Sequence, residues 1–548
     1  MRLITGKEVT SLRDLIAENI GMMKILKRYV ALTLVVFTLA SLTTYFEAIL
    51  MKKFIDSLAS KSSISEVVKL GMSILFVVAL SYILSFYGEY MLQTLGLRSI
   101  RILTSRVLES LYKAKIQVIR AGDVLARIVS DIPELSHVVA EFIPALLINI
   151  INFIIVVFTL KVLSMQLLLV ALILIPVNYL VYRIASRKIS LYSGLERRSL
   201  SEMVNEVKTT IDSLFLIKRA MSFEFFEERV GFSLRRWVSS LMKFILYKIF
   251  FNKSYFYLNS ILRVIILIIG GMLVVKGQIS IGALIAFSSI LSSLYEPIMN
   301  IANFLTSMTA YIPYLERYYE VINIEKERDG TKELKEVRNI VIKNVTVSVD
   351  RKVLLQDINM EIKRGESIGI KGPIGSGKTT FALLLTRFYE PSSGAILINE
   401  IDYREYKLSS LRRKIYYVPS KDVVLPLTLR ENITLGNDIS KEELNRVLRL
   451  TRIDFADPDT WINPSKLSEG QKQKIALARA LALKPDVLIL DEATNNLDRA
   501  EELRILNNIR KYMPGSTLIL ISHRETTLLN TNTICEIREG RVRCHKAI

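Results

Sequence analysis

The chain has 548 residues, 51% of them hydrophobic and 23% charged, with a formal net charge of +20. That length allows two or three domains, and so apolar a composition with an ordinary share of charge excludes a uniformly soluble protein and fits one that is half membrane, half soluble. The excess of Lys and Arg can mean a nucleic-acid surface, attraction to anionic lipid, or the loop asymmetry of a membrane protein.

Near the N-terminus, Leu12, Ile16, Ile20 and Met23 share one helical face, as in a helix lying on a membrane surface. The first long apolar run begins late, is too long for a signal peptide and lacks a small-residue cleavage site. Six spans are predicted near Tyr29–Leu50, Val67–Leu92, Val138–Leu160, Met165–Tyr182, Phe256–Val275 and Ile281–Tyr311. Each holds about 18 or more mostly apolar residues, enough at about 1.5 Å per residue to cross roughly 30 Å of hydrocarbon. Segments 51–65, 161–164 and 276–280 carry only Lys52, Lys53, Lys61, Lys161 and Lys276. The other side carries the basic residues from Arg2 to Arg28, then Arg98, Arg101, Arg106, Lys113, Lys115, Arg120 and Arg127, and a dense set from Arg183 to Lys243. The positive-inside rule therefore predicts a multi-pass cell-membrane protein with its N-terminus, both long connections and the C-terminal half in the cytosol. Topology accounts for most of the membrane half's charge, and no nucleic-acid partner is needed.

The connections 93–137 and 183–250 lack the Gly/Pro punctuation of loops, and segments such as Leu97–Leu103 and Ser201–Lys208 have helical periodicity. Membrane helices are thus expected to continue well into the cytosol, turning in short elements near Ala114–Gly122 and Ser213–Met221 that touch the following domain. Residues 326–336 are almost wholly charged, with Leu334 their one apolar residue, and read as a solvated linker. The predicted organisation is a helical membrane domain over 1–325, this linker, and an α/β domain over 337–548. In the last, Ser367–Ile370, Ile415–Val418, Val487–Leu490 and Thr517–Ile521 have the β-branched and Leu content of a parallel sheet covered on both faces.

After the first of these strands comes Gly372-Pro373-Ile374-Gly375-Ser376-Gly377-Lys378-Thr379, a complete G-x-x-x-x-G-K-[ST] phosphate loop, followed by Thr380 in a predicted helix Thr379–Phe388. Its glycines let backbone N–H groups approach phosphate oxygens at the helix N-terminus. Lys378 is expected to reach the β- and γ-phosphates of ATP and Thr379 to ligate Mg²⁺. Val487–Asp491 followed by Glu492 has the Walker B pattern, in which a buried strand delivers Asp491 to the metal and Glu492 to the attacking water.

Between these motifs lies Leu467-Ser468-Glu469-Gly470-Gln471, and the chain here resembles the ABC transporter family, whose signature is L-S-G-G-Q. Asn496-Leu497-Asp498 is similar to the end of the family's D-loop, and Ile521-Ser522-His523 to its switch-histidine motif. The membrane half is similar to exporters of the family in Ala121–Arg127 and Gly277–Phe287. The resemblance covers nearly the whole chain and implies an exporter-type half-transporter: a six-helix, all-α transmembrane domain with long cytosolic helix extensions, then an α/β P-loop ATPase. It further implies a dimer, homomeric or with a different half, in which Ser468, Gly470 and Gln471 of one subunit clamp ATP held by the other's phosphate loop. Glu492 would then be the general base, with His523 contacting the γ-phosphate and Asp498 beside it. The cargo would be a small amphipathic molecule such as a drug, lipid or peptide, carried by alternating access. An ATP-responsive regulatory or channel-like protein that does not pump is the other reading. Glu89, Arg263 and Glu296 fall at apparent membrane depth, where a charge needs a partner or a wet cavity. They are candidates for the substrate path, and Glu296-Pro297 suits a cationic amphiphile.

Several positions depart from the family pattern. Ser420 stands where the Q-loop glutamine is expected near the metal, and Glu469 replaces a signature glycine. The stretch from Ser420 to Leu467 is short, with Thr460–Lys466 in place of T-x-V-G-E-x-G, which predicts a trimmed helical subdomain and slow to moderate ATPase activity. With only Cys535 and Cys544, no appended cysteine protease is expected. A hairpin around Arg538–Arg541 would put the two cysteines opposite each other, with Cα atoms about 4.5 Å apart, within disulfide range, although a cytosolic setting predicts reduced thiols. His137 and His545 have no metal-ligand spacing around them. Val349 takes the place of the adenine-stacking aromatic, an interaction worth about 1–3 kcal/mol per base. Val349→Tyr should therefore tighten ATP about tenfold in an equilibrium nucleotide-binding titration; an unchanged affinity counts against this alignment.

Overall fold

The computed structural model describes residues 20–22, 24–116, 124–125, 127–173, 175–349, 352–528 and 531–546. The chain divides into two compact units: Met1–Ala114 with Val118–Glu325, and Lys326–Ile548 with Lys115–Gln117. Most of the expected N-terminal surface helix, including Leu12, Ile16 and Met23, lies outside the described residues, as does much of the Ala114–Gly122 element and of the Ala121–Arg127 motif.

The first unit is helical. Its main elements are α1 (Lys27–Ala59), α2 (Ile64–Tyr112), α3 (Ile132–Leu163), α4 (Met165–Ile173), α5 (Ile175–Asp212), α6 (Leu214–Ala220), α7 (Phe223–Val275) and α8 (Ile281–Ile322). Five helices among the described residues are long and apolar enough to cross a membrane, with spans in Lys27–Ala59, Ile64–Tyr112, Phe142–Leu163, Phe223–Val275 and Ile281–Ile301. The expected fourth span falls on α4 and the start of α5, either side of residue 174, which lies outside the described residues. Helix α2 has 49 residues and α7 has 53. At about 1.5 Å per residue each is roughly 70–80 Å long, more than twice the hydrocarbon thickness, so apolar spans continue into polar extensions without a break. The short α6 exposes Leu214, Phe215 and Leu216, and Met221 just past its end is also exposed, where the sequence predicts a contact element.

Polar contacts tie the helix ends. The Ser280 hydroxyl and the Gly282 N–H both donate to Asp56, at 2.8 and 2.9 Å, fastening the end of α1 to the start of α8. At the far end of α8, Arg317 donates to both oxygens of the buried Asp131, at 2.6 and 2.9 Å. Between these ends the core is built from Val156, Leu160, Leu167, Ile266, Phe287 and Leu294.

The second unit contains two sheets. Strands β1 (Asn339–Val349), β2 (Lys352–Lys363), β4 (Ser393–Ile398) and β5 (Ile401–Asp402) form an antiparallel sheet in the order β2-β1-β4-β5. Strands β3 (Ser367–Lys371), β6 (Ile415–Val418), β7 (Val487–Asp491), β8 (Thr517–Ile521), β9 (Thr533–Arg538) and β10 (Arg541–Lys546) form the other, in the order β10-β9-β3-β8-β7-β6. All of its pairings are parallel except the β9–β10 hairpin. Every residue of β7 and β8 is buried, as the continuous apolar runs require of strands covered on both faces. The helices used below are α9 (Lys378–Leu385), α10 (Leu408–Lys414), α11 (Leu429–Thr434), α12 (Lys441–Leu450), α13 (Glu469–Leu483) and α14 (Arg499–Tyr512).

Two expectations are corrected. Residues 326–336 are not a free linker but pack as part of the second unit. Glu327 pairs with Arg412 through two bonds of 2.8 and 2.6 Å, Lys332 bridges to Tyr406 in parallel, and Leu334 is buried in the core. Glu327 is a docking contact on the Arg412 guanidinium, and Arg387 holds the backbone at Arg328, while most of the other charges stay exposed. The cysteines are not reduced thiols: Cys535 and Cys544 face each other in the hairpin register and form a disulfide with Cα atoms 4.0 Å apart. The side chain of Arg387, 2% exposed, donates to the carbonyls of Arg328 (2.6 Å) and Arg404 (3.2 Å) and to Glu390 (3.0 Å). Arg387→Ala would strand these acceptors and should cost about 3 kcal/mol or more. Thermal unfolding should detect the loss, and limited trypsin digestion should show faster cutting after Arg328.

Candidate active site

The order β3-β8-β7 sets three loops side by side at the carboxyl ends of parallel strands, where open α/β sheets bind ligands. The loop after β3 runs from Gly372 to Gly377 and enters α9 at Lys378. A Cβ at Gly372 would overlap the Ile537 carbonyl oxygen. At Gly377, with φ of +106°, a Cβ would lie 2.7 Å from Leu355 Cδ2 and 2.9 Å from the Leu354 carbonyl oxygen. Only glycine lets the chain pass so close to β2 and β9. Lys378 is buried and curls over its own loop, donating to the carbonyls of Gly372 (2.8 Å) and Pro373 (2.9 Å). Burial lowers its pKa, against the opposing pull of the Glu492 and Asp491 carboxylates. The Ser376 hydroxyl is buried in the loop without a hydrogen-bond partner among the described residues, as fits a phosphate oxygen there. Pro373, Ile374 and Gly375 are exposed along the rim, and Thr380 is half-buried in the first turn of α9.

Strand β7 delivers Asp491 beside Thr379, whose hydroxyl donates to Asp491 Oδ2 at 2.8 Å. This pair of oxygen ligands fits Mg²⁺, a hard cation that is typically held by one or two protein groups and keeps several waters. The same Oδ2 accepts a second bond, at 3.0 Å, from the phenol of Tyr417 on β6. Burial, then the Asp491 carboxylate, push the Tyr417 pKa up, so the phenol stays protonated and can only donate.

Glu492 follows Asp491 with a left-handed φ of +52° while its N–H donates to the Ile521 carbonyl at 2.9 Å. Both carboxylate oxygens are engaged: Oε1 lies 3.1 Å from His523 Nε2 and Oε2 accepts from Asn495 Nδ2 at 2.9 Å. The strained turn and these contacts bring a carboxylate and an imidazole together beside the phosphate loop.

Lys378, Thr379, Asp491, Glu492 and His523 thus converge. The other expected residues do not join them by direct bonds. Ser468 caps α13 in a reciprocal box, its hydroxyl accepting from Gln471 N–H while the Gln471 side chain accepts from Ser468 N–H. Ser468 and Gly470 therefore sit at a well-formed helix N-terminus, bonded within it and not to the phosphate loop. Asp498 caps α14, accepting from Glu501 N–H at 2.8 Å. Ser420 is exposed, and its carbonyl accepts from Gln473 Nε2 at 3.4 Å.

Residue patterns alone missed Tyr417, Asn495, Gln473 and the Glu502–Arg524 pair. Gln473 Nε2 also reaches the Glu492 carbonyl, and its Oε1 accepts from Asn496 N–H, so one buried amide links the Ser420 loop to both ends of the loop that follows β7. Glu502, buried, pairs with Arg524 at 2.7 Å, and that guanidinium donates to the Asn495 carbonyl at 2.6 Å. The position of Gln473, two residues beyond the signature, was the available signal; Tyr417 had none beyond being polar in an apolar strand.

In the membrane unit, Glu89 accepts from Gln93 at 3.3 Å one turn away. Arg263 and Glu296 are exposed and form no ion pair among the described residues. One turn past Glu296 on α8, Asn300 donates to Asn149 of α3 at 3.2 Å.

Residues 30–298 match the ABC transporter transmembrane region, and residues 355–495 match the ABC transporter family. A protein of Rickettsia bellii (strain RML369-C), named for export ATP-binding/permease, is 30% identical over 507 residues, 86% of this chain and 85% of that one. The ATP-dependent lipid A-core flippase of Syntrophus aciditrophicus (strain SB) is 28% identical over 537 residues, 93% of this chain and 88% of that one. In fold the chain is similar to a bacterial Atm1-family ABC exporter solved with ATP bound, with a TM-score of 0.79 at 22% identity over 96% of each chain. The chain therefore belongs to the ABC transporter family, as an exporter-type half-transporter in which an ATP-binding ATPase domain is joined to a multi-pass membrane domain and coupled to transport.

Proposed function

We propose that the chain works as a dimer that exports a small amphipathic molecule from the cytosolic side of the cell membrane by alternating access. The observation that carries this reading is the Glu492–His523 pair at 3.1 Å, at the end of the strand that supplies Asp491. A carboxylate held by an imidazole and an amide is oriented to take the proton of an attacking water, and phosphoryl transfer asks for such positioning and little else. Lys378 exchanges its loop carbonyls for the β- and γ-phosphate oxygens. Mg²⁺ bound at Thr379 and Asp491 would neutralise charge on those oxygens.

Among the described residues Ser468 and Gln471 bond each other and not the phosphate loop, which supports their facing, with Gly470, the nucleotide of a second subunit, homomeric or not. The N-terminus of the 15-residue α13 suits an anion there. Asp498 supports this arrangement by capping the helix that follows the D-loop. Glu296 and Asn300, one turn apart on α8, give the interior of a span an acidic and an amide group. Since hydrocarbon does not solvate a carboxylate, a wet path lined by α8 is its natural setting. The lipid A-core flippase, a relative of similar length, handles an amphipathic molecule by its name, which supports the cargo class.

Inside-out vesicles containing the chain should accumulate cargo only with ATP. Glu492→Gln should abolish that accumulation and slow hydrolysis by roughly a hundredfold or more; transport that survives with hydrolysis lost defeats the reading. Glu296→Gln should weaken uptake of a lipophilic cation such as tetraphenylphosphonium about tenfold, the scale of one charge-assisted contact, with ATPase activity retained. If uptake of all cationic amphiphiles is unchanged, Glu296 is not on the path.

A further inference from the structure

We propose that Tyr417 is a positioning residue of the ATPase site, its phenol holding the Asp491 carboxylate in the orientation that binds a divalent cation. The inference rests on the ATPase reading above and concerns a residue outside the phosphate-loop, signature and switch motifs. Two hydroxyls from different elements donate to one oxygen of Asp491: Thr379 at the start of α9, and Tyr417 on β6. They are not equivalent. Thr379 sits at the loop that must adapt to nucleotide, and its hydroxyl rotates about a single bond. Tyr417 is planted in a strand paired in parallel with β7, opposite Ile489, and its ring packs against the core of the unit. The phenol is therefore the fixed donor and the threonine the adjustable one.

With both donors on Oδ2, that oxygen is held from two sides before any cation arrives. Partners of this kind, which orient a metal-binding group without touching the metal, typically change metal affinity about 10–100-fold when removed. Ser420, two residues on from Val418 at the end of the same strand, is exposed and too short to add a reaching side chain. Tyr417 is thus the group on β6 that engages the metal-binding carboxylate directly.

The test uses the full-length chain in detergent and a non-cleavable fluorescent nucleotide, the N-methylanthraniloyl derivative of AMP-PNP, titrated with Mg²⁺. Tyr417→Phe keeps the ring and removes only the hydroxyl. It should raise the Mg²⁺ midpoint roughly tenfold, while nucleotide affinity in EDTA and the thermal unfolding midpoint stay as in the unmodified chain. An unchanged or lower Mg²⁺ midpoint overturns the proposal. So does a parallel loss of affinity in EDTA or of thermal stability, which would make the hydroxyl a general support of the fold. If the unmodified chain binds no nucleotide under any condition, the ATPase reading fails and takes this inference with it.

Discussion

Parallel hydrogen bonding of β3, β8 and β7 is the constraint on which the rest of the catalytic unit depends. Each strand ends at the same edge, so the phosphate loop, the His523 loop and the Asp491-Glu492 pair meet although they are far apart in the chain. The sheet can be continuously apolar because it is buried on both faces, and that burial makes its edge rigid. Rigidity matters because the chemistry asks for placement of charge more than for covalent help. The left-handed Glu492 and the close passage at Gly372 and Gly377 are local costs borne by this frame.

Around that edge, buried polar side chains do the aligning. Gln473 joins the loop at Ser420 to the one that holds Glu492 and Asn496, and the Glu502–Arg524 pair anchors the backbone at Asn495. Each is a satisfied group in a site of low dielectric, where an unpaired partner is costly. Movement in one loop is therefore felt in the next. The same economy appears in the membrane unit, where Asp56 caps the start of α8 and Asp131 holds its far end through Arg317. Helix α8 is clamped at both ends, with its acidic and amide groups between the clamps.

Much of this was legible in order along the chain. Apolar length marked the spans, because lipid demands runs of about 18 or more residues whatever their neighbours. The phosphate loop was legible because its glycines answer a backbone requirement that no other residue meets. Less was legible where a residue's role depends on a partner distant in sequence. Residues 326–336 look like a free linker until Arg412 is seen to pair with Glu327 and Arg387 to hold the carbonyl of Arg328, and Ser468 and Asp498 serve as helix caps as well as motif residues.

Local periodicity, turn chemistry and motif spacing by themselves determined a membrane-spanning helical half and a nucleotide-gripping α/β half, and they singled out Lys378, Thr379, Asp491 and Glu492 as candidates, with His523 added by resemblance to the family. Those features arise from interactions between near neighbours or from the solvent each segment must face. Only the tertiary structure decided that Tyr417 shares Asp491 with Thr379 and that Gln473 ties the Ser420 loop to the loop that follows β7. Such pairings depend on which strands lie side by side, and strand order is set by the burial of the whole sheet and not by any one segment.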